Sequence, residues 1–226
     1  MPVTPITIYV QQHFASFGCA GSLVILLGCL IAAIPYHGKA GEKYSFLNHY
    51  ISELGEKGVS RLSAAFNVGM VIGGAFLLPF IIGLGLTLWS WWGLLAMTAG
   101  VVAAVASIFV GIYSMDRIEP HARAAMTYFR FGLVTILLFT LAVFLQPADD
   151  RVIPLSVNIV GILAVLAYAS FLVIVSVKAK KTSKDKTLDP SEKKERPRFW
   201  VTTFLEWMVF FSTMAWFLSV SLILAI

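Results

Sequence analysis

Residues 62–88 read LSAAFNVGMVIGGAFLLPFIIGLGLTL, a run without one charged side chain. A helix rises about 1.5 Å per residue and needs about 20 apolar residues to cross a hydrocarbon core of about 30 Å. This stretch exceeds that requirement. Gly69, Gly73 and Gly74 crowd together within it, as on helices that pack at close range inside a membrane. Working outward, five more runs of the same kind occupy residues 13–34, 93–113, 124–145, 152–177 and 199–226. The expected fold is all-α: a polytopic membrane protein, a bundle of six transmembrane helices forming one domain over 1–226.

Composition agrees with that expectation. The chain is 58% hydrophobic and 13% charged, with a mean hydropathy of +0.84, whereas soluble domains carry about 25% charged residues. Six spans leave no material for a separate soluble domain. Cys19 and Cys29 fall in the first run, ten residues apart. On one helix that is about 15 Å, outside disulfide reach, so both read as small buried apolar residues. The first run is too long, and its start too poor in basic residues, for a cleaved signal peptide; it reads as a retained span.

Lysine and arginine placement gives an orientation. The first inter-helix loop holds Lys39, Lys43, Lys57 and Arg61. The third loop holds Arg117 and Arg123, with Arg130 just inside the fourth span. The fifth, a basic linker over 178–198, holds nine more, and Arg151 stands alone on the opposite side. Sixteen of the seventeen positive charges therefore share one side. The odd-numbered loops are expected in the cytoplasm and both termini outside, in a cell (plasma) membrane. The basic residues flank spans, so membrane lipid is the expected partner and nucleic acid is not. Protein partners are left open. Trp89, Trp91 and Trp92 mark an interface on the other side, where indoles prefer to sit.

Ionisable groups at membrane depth are costly, and each one needs a role. Arg130 and Glu206 lie at similar depth, roughly 10 Å from the same end, and opposite charge predicts a structural ion pair between the fourth and sixth spans. Arg130 has two other readings: it can snorkel to the interface, or clamp an anionic substrate group with its guanidinium. Asn67 lies at a depth that lets it join the same network.

The first loop contains Ser45-Phe-Leu-Asn-His-Tyr-Ile-Ser-Glu-Leu-Gly55. Its apolar residues fall at helical spacing, which predicts a short amphipathic interfacial helix with Asn48, His49, Ser52 and Glu53 on its polar face. The third loop adds Asp116 and His121. His49, Glu53, Asp116 and His121 can meet at one mouth of the bundle. Two imidazoles with two carboxylates form a set able to hold zinc with an open position for water. Without a metal, Glu53, Asp116 and His121 could do acid–base work, with His49, Ser52, Asn67 and Arg130 as substrate-binding residues. No cofactor is specified beyond that candidate divalent metal.

The segment Ile51-Ser-Glu-Leu-Gly55, followed by Phe66-Asn67 and Gly69, resembles an uncharacterised six-span membrane family with an I-S-[DE]-L-G motif, a domain of unknown function. Through the same motif it distantly resembles the Frag/DRAM/Sfk group. The resemblance implies six helices and carries over Ser52, Glu53, Gly55, Asn67, Asp116 and His121 as motif positions. Members of the wider group are linked to lipid remodelling, lipid asymmetry and autophagy. In its DRAM-like branch the first loop is lumenal, whereas the charge count here places it in the cytoplasm.

Three functional readings follow. The chain is a lipid-associated scaffold or regulatory membrane protein with a cytoplasm-facing polar cluster. Alternatively it is an intramembrane lipid hydrolase or transferase using Glu53, Asp116 and His121, with Arg130 for a phosphate. A small-molecule transporter is the third, opposed by the near absence of charge in the outer half.

Overall fold

The computed structural model describes residues 5–184 and 196–225. All regular structure among them is helical, and six helices are long and apolar enough to cross a membrane. They are α1 (Pro5–Ala33), α2 (Ser63–Thr87), α3 (Trp91–Ile112), α4 (Ile118–Phe144), α5 (Val157–Lys184) and α6 (Val201–Ala225). Several boundaries differ from expectation, α1 beginning at Pro5, eight residues before 13. Helix α4 starts six residues early, at Ile118, because Pro120 sits in its first turn, where a missing N–H costs nothing. Helix α5 starts later, at Val157, because Pro154 precedes it in a turn. Of the basic linker, residues 178–184 extend α5 and 185–195 lie outside the described residues.

Each helix packs on the next in sequence, and α6 returns to α1, so the six close into a ring. Helices α1 and α2 approach closely. A Cβ built on Gly28 would lie 2.8 Å from the carbonyl oxygen of Ala65 and 3.2 Å from Cα of Gly69. One on Gly73 would lie 2.8 Å from the carbonyl oxygen of Gly21. Gly74 turns to α3 instead, against Ser107 and Ala104. The glycines of the second span therefore serve two neighbours at once.

The two ends of the bundle differ. Trp89 and Trp91 stand 74% and 82% exposed around the α2–α3 turn, where Ser90 caps α3 by accepting a hydrogen bond from the Gly93 N–H at 3.1 Å. The half of the interior nearer this end is filled by aromatic rings. Phe139 stacks on Trp216 at 5.9 Å and Phe80 meets Phe217 edge-on at 5.7 Å. At the other end, the loop between α1 and α2 folds back over the bundle. The expected amphipathic helix over 45–55 is a turn at 46–49 followed by a single 3₁₀ helix, Ile51–Gly55. Its polar face does not point to water: His49 and Glu53 are both buried.

Candidate functional site

The five residues of the 3₁₀ helix are tied to several different parts of the molecule. The backbone N–H of Ile51 donates to Glu206 Oε2 of α6 at 3.0 Å. Ser52 Oγ donates to Met115 Sδ, in the α3–α4 loop, at 3.6 Å. Leu54 is completely buried. Gly55 offers its carbonyl to Asn67 Nδ2 of α2 at 3.0 Å, and a Cβ there would lie 2.4 Å from Asn67 Oδ1.

Glu53 makes the densest set. Its Oε1 accepts from the Tyr50 N–H at 2.8 Å and from Arg196 Nη1 at 3.0 Å. Its Oε2 accepts from Arg196 Nη2 at 2.9 Å and from the Tyr36 hydroxyl at 3.4 Å. Arg196 thus forks onto the carboxylate, the geometry in which such pairs are strongest, and also reaches the carbonyl of Asn48 at 2.7 Å. The hydrogen bonds of Glu53 hold Arg196 above its ordinary pKa. Two further bonds complete the clasp: the side-chain amide Asn48 Nδ2 donates to the Pro197 carbonyl at 3.1 Å, and the Trp200 N–H to the Leu47 carbonyl at 2.8 Å.

His49 lies in an aromatic cage, with ring centroids of Tyr36 at 5.4 Å and Tyr44 at 5.1 Å. Its Nδ1 faces the backbone of Ser45, and its Nε2 is 3.6 Å from Glu42 Oε1, beyond hydrogen-bond reach. Burial first, then the nearby carboxylates, pushes the phenols of Tyr36 and Tyr44 above their usual range. On the far side of the mouth, His121 donates from Nδ1 to the Tyr113 carbonyl at 2.7 Å. Asp116 accepts from the Ser114 hydroxyl, which holds its carboxyl below the usual range.

The predicted zinc set is therefore divided. His49 and Glu53 belong to the clasp, Asp116 and His121 to separate local networks, and among the described residues no three or more His, Cys, Asp or Glu side chains lie together as a metal site. The same division keeps Glu53, Asp116 and His121 from forming one acid–base unit. Nor does the structure bring Arg130 and Glu206 together. Arg130 is exposed on α4, while Glu206 is 6% exposed and bonded to Ile51. Depth counted along each apolar run could not fix which way each side chain faces. Asn67 likewise serves Gly55 and not Arg130.

A narrow cavity runs inside the ring below the 3₁₀ helix. All six helices line it, and most of the lining is apolar, including Met70, Ile81, Ala103, Phe129 and Met214. Ile51, Ser52, His121 and Glu206 line it too. Their mutual ties, Ile51 to Glu206 and Ser52 to the loop that carries the His121 acceptor, place them at the clasped end. Farther along, Thr213, Tyr168 and Tyr128 form a chain of hydroxyls, each step 3.3 Å. Sequence reasoning missed this cavity and the Arg196 contact. Arg196 was indistinguishable from the other basic residues of its linker. The isolation of Glu206 in an apolar helix was the one legible signal.

The family model for a protein of unknown function, DUF998, matches residues 19–223, and the chain belongs to that family. No curated protein and no solved structure matches it.

Proposed function

We propose that this DUF998 member is a lipid-associated membrane protein that holds a single-chain amphiphile inside its helix ring. The observation that carries this is the cavity: narrow, lined by all six helices, apolar along most of its length and with Ser52, His121 and Glu206 among its lining. An apolar tail would lie among Met70, Phe129 and Met214, with its head at the clasped end. Holding is favoured over turnover because the carboxylate of Glu53 is fully engaged by Arg196, Tyr50 and Tyr36.

The clasped end faces the cytoplasm of a cell membrane in this proposal, with both termini outside. Support comes from the one-sided lysine and arginine distribution and from the exposed tryptophans around the α2–α3 turn at the opposite end.

The test is native mass spectrometry of the full chain, released from mild detergent and followed by lipid identification. Wild type should carry about one equivalent of a chain-bearing molecule, and Ala103→Phe, which fills the cavity wall, should carry much less. Wild type that emerges free of any such molecule, even after incubation with long-chain amphiphiles, would overturn the proposal.

A further inference from the structure

Building on the cavity as a chain-binding site, we propose that its polar end selects an amphiphile with a primary-amine head, Glu206 being the counter-charge. Glu206 is 6% exposed and about five residues into α6, hence roughly 8 Å inside the span. One backbone N–H, that of Ile51, donates to it at 3.0 Å. None of the ion pairs among the described residues includes it. A carboxylate removed from water without a cation is strongly disfavoured, and this one lines a cavity whose walls contain no lysine or arginine. Such a carboxyl takes up a proton unless a cation is brought to it, and the source of a cation here is what occupies the cavity.

The neighbouring polar groups fit an ammonium. Ser52 spends its hydrogen on Met115 Sδ, which leaves its oxygen lone pairs free to accept. The Nδ1–H of His121 is committed to the Tyr113 carbonyl, and its imidazole also lines the cavity. The Glu206 carboxylate and the Ser52 oxygen are acceptors, and an ammonium brings N–H donors. A fatty acid or a phosphate head would set a second negative charge beside Glu206 with no cation lining the cavity to offset it. The apolar length of the cavity takes the tail, as already proposed.

The experiment compares three probes with the same tail: oleylamine, oleyl alcohol and oleic acid. Each competes for the full-length protein in nonionic detergent at neutral pH, with bound species counted by native mass spectrometry. Wild type should prefer the amine over the alcohol by about tenfold, the scale that separates charge-assisted from neutral hydrogen bonds, and should bind the acid least. Glu206→Gln keeps an acceptor for the Ile51 N–H, so the fold is retained, and it should bring amine and alcohol to near equality. Alcohol or acid binding at least as well as the amine to wild type would overturn the headgroup assignment while leaving the chain site standing. An amine preference that survives Glu206→Gln would overturn the role of Glu206. If none of the three binds wild type, the cavity is not a chain site and both proposals fall.

Discussion

Glu53 and Arg196 show how little of a side chain's role its residue type discloses. Glu53 was legible as a polar residue of the first loop, yet its burial and its partner, 143 positions away, were not. Arg196 looked like one of nine basic linker residues whose only evident role was topology. Together they form a bidentate pair with a buried carboxylate, and loss of one member leaves the other charge uncompensated. Arg196→Ala is therefore expected to cost about 1–3 kcal/mol, discounted from fully buried pairs because the arginine side chain is 33% exposed. Thermal unfolding in detergent measures this, and Glu53→Gln combined with Arg196→Ala should cost less than the sum of the single changes. Arg130→Ala is the contrast. Its side chain is exposed on α4, so stability should hold within about 0.5 kcal/mol of wild type. A large loss there would restore the ion pair expected from sequence.

Among the elements, the spans were the most legible, because twenty apolar residues in a row admit few alternatives. The 3₁₀ helix was the least legible. Its apolar spacing imitates an α-helix, but Glu53 bonds back to the Tyr50 N–H and Asn67 holds the Gly55 carbonyl. Those tertiary contacts fold the segment inward as a single tight turn and bury the face expected in water. The glycines of α2 were read correctly as packing residues, while their two separate partners required coordinates. At the α1–α2 contact, Gly28→Val places a branched side chain against the Ala65 carbonyl and Gly69. The backbones must part, at a cost of about 1–3 kcal/mol. Leu27→Ala, one position away on the lipid-facing side, should change stability by less than about 0.5 kcal/mol. Both are read from thermal unfolding in the same detergent, and equal effects would mean the helices are not held by close glycine contact.

At the scale of the molecule, a closed ring of helices leaves an axial space. Aromatic rings fill that space in one half, and the 3₁₀ helix covers it in the other. Orientation is tested on a background with Cys19 and Cys29 replaced, using single cysteines at Lys57 and Asp149. A membrane-impermeant thiol reagent added to intact cells should label the Asp149→Cys protein, and the Lys57→Cys protein only after the cells are opened. The reverse pattern would invert the proposed topology. The ring itself followed from sequence only in its number of helices. Which faces turn inward was hidden because spans in lipid are apolar on every side, with no polar stripe to mark the outside. Whether the axial space holds a chain is decided most directly by photolabelling with a long-chain probe that carries a terminal diazirine, followed by peptide mapping. Labels should appear at cavity residues such as Met70, Phe129 and Met214, and Ala103→Phe should remove them. Labels confined to lipid-facing positions such as Leu27, Ile162 and Leu166 would contradict an occupied cavity.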